Sequence, residues 1–150
     1  MKVLLVLIIG FILTTVISRL FVDDWNIMLS GNIAMMLMLW FASLGHFMFP
    51  KGMVMMMPAF IPFKRAVIYL TGIMEIVLGP LLVVNATRHI AGIILLVLFV
   101  VMLPANINAA MKHVDLEKAT YDGGGPGYLW FRIPLQLLFI AWILYFSIGI

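Results

Sequence analysis

Five apolar runs, each about as long as a lipid hydrocarbon core is thick, occupy most of this 150-residue chain. A membrane-spanning helix needs about 20 consecutive, mostly apolar residues, and the runs at 3–22, 25–49, 66–84, 90–111 and 128–149 meet or come close to that length. A segment inside lipid must satisfy all its backbone N–H and C=O groups without water, which only helices and closed barrels achieve. These runs are continuous rather than alternating, so they predict helices. The polar residues are too few to cover a water-facing surface: 65% of the chain is hydrophobic, 10% is charged, and the mean hydropathy is +1.21. With nearly every residue inside or beside a span, no soluble catalytic domain fits. The expectation is an all-α membrane protein, one membrane domain built as a bundle of five transmembrane helices, with the lipid bilayer as its main partner.

The segments between the runs set the expected topology. Lys2 followed by an apolar stretch resembles the start of a signal peptide, but no convincing small-x-small site precedes Asp23 and Asp24, so 3–22 reads as a retained helix. Residues 50–65, PKGMVMMMPAFIPFKR, are too short to cross and carry Pro58 and Pro62 between basic flanks; they read as an interfacial segment. Its methionines, Met53, Met55, Met56 and Met57, offer flexible surface for a ligand, a lipid or a protein partner. Five spans put Lys2, Lys51, Lys64, Arg65, Lys112, Lys118 and Arg132 on one side and Arg19 and Arg88 on the other, seven against two. Basic residues favour the cytoplasmic side. The reading is therefore an integral, multi-pass protein of a plasma or inner membrane, with its N-terminus cytoplasmic and its C-terminus outside. A net charge of only +3, placed at the ends of apolar runs, suits headgroups and argues against a nucleic-acid partner.

Few residues can carry chemistry. The chain has no cysteine, hence no thiolate nucleophile, redox pair or thiolate metal site, and His46, His89 and His113 lack the spacing of a metal site. The glycines of DGGGPG, without a preceding strand or a following GK[ST], read as a hinge rather than a phosphate cradle. Glu75 is the most informative position, because a carboxyl near the middle of a span costs about 2.5 to 3.5 kcal/mol on insertion scales. Gly72 and Gly79, at i−3 and i+4, bare the same helix face for close packing. His46 falls in the last turn of the second run. Asn106 and Asn108 lie about 200° apart on a helix, so they cannot both face one cavity unless Pro104 distorts the turn. Arg132 and Gln136, spaced i, i+4, share a face. Gathered together, His46, Glu75, Asn106, Arg132 and Gln136 would form a ligand-binding polar cluster within the bundle.

The succession Gly45-His46-Phe47, Pro50, Met57-Pro58, Ile61-Pro62, Tyr69-x-x-Gly72-x-x-Glu75-x-x-x-Gly79, Pro104-Ala105-Asn106 and Arg132-x-Pro134-x-Gln136 resembles the DoxX-like family of small integral membrane proteins over about residues 26–146. The resemblance implies a four-helix DoxX-like core (25–49, 66–84, 90–111 and 128–149) plus the extra N-terminal helix at 3–22. The family takes its name from a subunit of a thiosulfate:quinone oxidoreductase; other members are linked to oxidative-stress membrane complexes, and animal relatives are assembly chaperones for ligand-gated ion channels. By resemblance, the expected role is accessory or binding, beside a membrane redox complex and without independent catalytic activity. A lipophilic ligand such as a quinone or lipid would sit on the polar residues. The alternative is an assembly chaperone or structural subunit whose partner is another membrane protein.

Overall fold

A computed structural model describes residues 2–22 and 25–149; Asp23 and Asp24, which bear on the cleavage question, lie outside the described residues. The helices are α1 (Lys2–Val22), α2 (Ile27–Met48), α3 (Pro50–Met56), α4 (Lys64–Val83), α5 (Arg88–Met111) and α6 (Leu129–Ile143). A 3₁₀ turn, Pro126–Tyr128, leads into α6, and a π turn, Leu144–Ile148, continues it. All but the seven-residue α3 are, with these extensions, long and apolar enough to cross a membrane. Their outward side chains are mostly aliphatic and aromatic, so the chain is a multi-pass membrane protein. Among the described residues no strand forms; one antiparallel bridge joins Asp115 to Thr120.

Local chemistry places the helix ends. Asn26 caps α2, its side chain accepting from the Leu29 amide at 3.1 Å. Pro50, read from the sequence as the stop of the second span, also opens α3, where its fixed φ suits a first turn and its missing N–H is not needed. Part of the expected interfacial segment is thus a short helix, and only 57–63 is irregular.

α2, α4, α5 and α6 form a closed ring, the π turn returning to α2, and the closest pairing is α2 with α4. Gly79 allows this approach, since a Cβ there would lie 3.1 Å from Met36 Cγ, and the Trp40 indole N–H donates to the Ile76 carbonyl at 3.1 Å. α1 leans on the outside of the ring. Only 11% of its spanning window is buried, against 33–44% for the other four spans. Its inner face supplies Leu7 to the core and stacks Phe11 edge-on against Trp142, with ring centroids 5.2 Å apart.

One end of the bundle gathers the start of α1, α3 and the 112–125 connection. Lys2 Nζ pairs with Glu117 at 3.0 Å, Asn108 donates to the Met56 carbonyl at 2.7 Å, and Gly52 packs flat on the Leu116 carbonyl. The connection folds over this end. Gly125 has φ +64°, and a Cβ there would meet the His113 ring at 2.3 Å. The Asp115 carboxylate accepts from the Glu117 and Lys118 amides, each at 3.0 Å. Phe60, Phe63, Tyr128 and Trp130 stand exposed around this end, Phe21 and Trp25 around the other, in the manner of interfacial aromatic belts. The same end holds seven of the nine basic residues. Because the chain lacks cysteine, single cysteines report sidedness directly. With this end cytoplasmic, an impermeant maleimide should label Asn85→Cys in intact cells and Lys51→Cys and Lys118→Cys only after lysis. The reverse pattern would invert the orientation, and labelling of all three from one side would break the five-span topology.

Candidate functional site

Glu75 sits on the ring-facing side of α4, only 3% exposed. One turn earlier, Gly72 lets α2 come so close that a Cβ there would lie 2.8 Å from the His46 Cβ. This approach carries His46, expected near the interface as a helix-end residue, to a site where it is 4% exposed. His46 Nδ1 lies 2.9 Å from the Ile68 carbonyl oxygen and 3.1 Å from Thr71 Oγ1, whose own hydroxyl donates to Ile68 at 2.8 Å. A carbonyl only accepts, so Nδ1 carries a proton. That fixes the ring with Nε2 turned to Glu75 Oε2, 3.5 Å away.

At 3.5 Å the contact exceeds a hydrogen bond, and Glu75 Oε2 is buried without a hydrogen-bond partner.

Glu75 lines a cavity of about 50 Å³ together with Arg132, Gln136, Met38, Phe99 and, from α1, Val3. That is room for a few waters. Gln136 donates to the Phe99 carbonyl at 2.9 Å and so ties α6 to α5. Arg132 is half-buried, and its Nη2 donates to Asn106 Oδ1 at 3.2 Å. Asn106 itself faces elsewhere. It lines an outer cavity of about 120 Å³ with Met56, the end of α5, Val114, Leu116, Gly124, Gly125 and Tyr128, and Arg132 lines both cavities. The five residues expected to form one cluster are therefore distributed. His46 and Glu75 pair, Gln136 stands across the inner cavity, Asn106 belongs to the outer one, and Arg132 separates the two. Asn108, as its helical angle required, points away and bonds α3.

A quinone can be tested against this donor set. The Arg132 guanidinium and Gln136 suit a carbonyl oxygen, but a volume of about 50 Å³ is too small to enclose a quinone ring. Among the described residues no group of three His, Cys, Asp or Glu side chains could hold a metal ion.

Asn32, fully buried, is a polar centre that sequence reasoning passed over. Its amide donates to the Met28 and Phe146 carbonyls, both at 2.7 Å, and accepts from the Ser147 hydroxyl at 2.8 Å. It holds the π turn against α2, and Trp142 reinforces it by donating to the Gly31 carbonyl at 2.9 Å. All of its bonding capacity toward neighbours is used structurally. Thr71, the orienter of His46, lies at i−4 from Glu75 and could have been found by extending that face one turn.

No curated protein and no solved structure matches this sequence. A family match spans residues 35–147, beginning inside α2, leaving out α1 and including His46, Glu75, Asn106, Arg132 and Gln136. The chain belongs to the family described as a domain of unknown function, DUF8561.

Proposed function

We propose that this protein is a DoxX-like membrane accessory protein that holds the polar head of a lipophilic ligand, a quinone or a lipid, at the inner cavity and has no turnover of its own. The observation that carries the reading is Glu75 Oε2, buried in mid-span without a hydrogen-bond partner, beside His46 Nε2 and a small, mainly apolar cavity that Arg132 and Gln136 also line. An unpartnered intramembrane carboxyl is expensive and marks a site. His46 and Glu75 hydrogen-bond the ligand's oxygen, Gln136 orients it, and Arg132 adds positive charge. When bound, a quinone would supply the redox chemistry of a neighbouring complex; the residues here bind and position it. Entry runs through α1, whose Val3 closes the cavity and which is the least embedded of the spans.

Native mass spectrometry of the mildly extracted full chain tests this. Wild-type protein should retain a small lipophilic molecule, and Glu75→Gln should lower the retained fraction about tenfold or more, the effect of losing one strong hydrogen bond. Equal retention in both would sink the reading. A second reading, a structural subunit or assembly chaperone, is favoured by the small size of the inner cavity. It predicts co-extracted protein rather than a small molecule, with the polar pair acting only in folding.

A further inference from the structure

We propose that the outer cavity is a binding site for an anionic phosphate group, held by Arg132 and Asn106 beneath the folded glycine loop. This rests on a different cavity from the proposed function and shares only Arg132 with it, so Asn106→Asp tests it apart from Glu75→Gln.

The charge inventory is one-sided. Arg132 is the one charged side chain lining the outer cavity, and its described partner is a neutral amide, Asn106 Oδ1 at 3.2 Å. Among the described residues no carboxylate lies within salt-bridge distance of its guanidinium. Glu75, which shares the inner cavity with Arg132, lies against His46 at 3.5 Å instead. The loop's acids are engaged elsewhere. Asp115 binds the Glu117 and Lys118 amides, Glu117 pairs with Lys2, and Asp122 accepts from the Thr120 hydroxyl, which holds its carboxyl below the usual range.

The second observation is Asn106 itself. It is 5% exposed, and its Nδ2 is buried with no acceptor. Exchanging its oxygen and nitrogen does not help, because the guanidinium can only donate and must face Oδ1. A buried amide donor without an acceptor and a half-buried guanidinium whose acceptor is a single neutral amide oxygen stand beside one cavity, and a phosphate would give the first its acceptor and the second its counter-charge. The cavity, about 120 Å³, is the larger of the two.

The depth favours a lipid phosphate. The site lies at the end where Trp130 and Tyr128 stand exposed and where most basic residues collect, the level of headgroups. The same phosphate chemistry could come from free phosphate, and the test separates the two.

Full-length protein in detergent is offered equal amounts of phosphatidylglycerol and diacylglycerol, which has the same chains and no phosphate, with and without inorganic phosphate, and bound lipid is read by native mass spectrometry. Wild-type protein should retain phosphatidylglycerol preferentially. Asn106→Asp, nearly isosteric and able to pair with Arg132, should keep the fold while filling the site with its own negative charge, cutting that retention about tenfold. Arg132→Gln should do the same, whereas Lys112→Gln, a nearby surface cation, should not. Displacement of the lipid by inorganic phosphate would assign the site to a soluble anion. Retention by Asn106→Asp equal to wild type, or no preference for phosphatidylglycerol over diacylglycerol in the wild type, would overturn the proposal; neither outcome depends on Arg132→Gln folding.

Discussion

Gly72→Leu should leave no folded bundle to extract, and the smaller Gly72→Ala should lower the melting midpoint more than alanine at any other helical glycine between α2 and α4. The reason is the neighbour each new Cβ would meet. At Gly72 it falls 2.8 Å from the His46 Cβ, an atom fixed to the α2 backbone, so the helices must part. Overpacking of this kind costs about 1–3 kcal/mol and sometimes more. Parting α2 from α4 also strips His46 of its Ile68 and Thr71 contacts. At Gly79 the nearest atom is Met36 Cγ at 3.1 Å, part of a flexible side chain that can yield, so alanine there should be close to neutral. At Gly127 nothing lies within 4 Å, and alanine should change nothing. Thermal unfolding of the detergent-solubilised variants checks the order. A melting midpoint for Gly72→Ala equal to that of Gly127→Ala would show that the helices are not held in the close approach described.

The spans were legible in the sequence because lipid leaves a polar backbone few options. Apolar length alone places 66–84 against α4 at Lys64–Val83 and 90–111 against α5 at Arg88–Met111. The 112–127 connection was not legible. Gly123 and Gly125 are required there because the Val114 carbonyl and the His113 ring press against them, contacts set by how the connection folds back on itself rather than by any local motif. Glu75 declared itself by being a carboxyl in an apolar run. That it meets His46 could be suspected only from both being polar, since nothing local states that two helices touch at that level. Asn106 and Arg132 read as members of the same cluster for the same reason. Their separation into the outer cavity depends on how α5 and α6 turn against each other, which periodicity does not encode. Asn32 was hidden among Ser30, Gly31 and Ala34, where an amide passes for a tolerated polar residue.

Glu75→Gln should leave the bundle close to wild-type stability, whereas His46→Ala should destabilise it by about 2–4 kcal/mol. A glutamine amide keeps the volume of Glu75 and can donate to the Nε2 lone pair while Nδ1 stays bonded to Ile68. It therefore keeps a donor facing Nε2. Removing His46 deletes the Nδ1 contacts with Ile68 and Thr71, opens a void at the α2–α4 contact, and leaves Glu75 with no facing group. Stranding a buried polar group alone costs about 1–3 kcal/mol, and the void adds to it. In a double-mutant cycle with Glu75→Ala, the two positions should couple by about 0.5–3 kcal/mol, since each alanine already destroys what the other would remove. Histidine nitrogen resonances provide a second reading, with His46 protonated at Nδ1 in the Glu75→Gln protein. The separation of the two measurements decides the role of the pair. If Glu75→Gln melts like wild type yet loses its bound molecule, the carboxyl is there for its ligand. If it melts as low as His46→Ala, the same contact is a strut between α2 and α4, and the structural reading takes precedence.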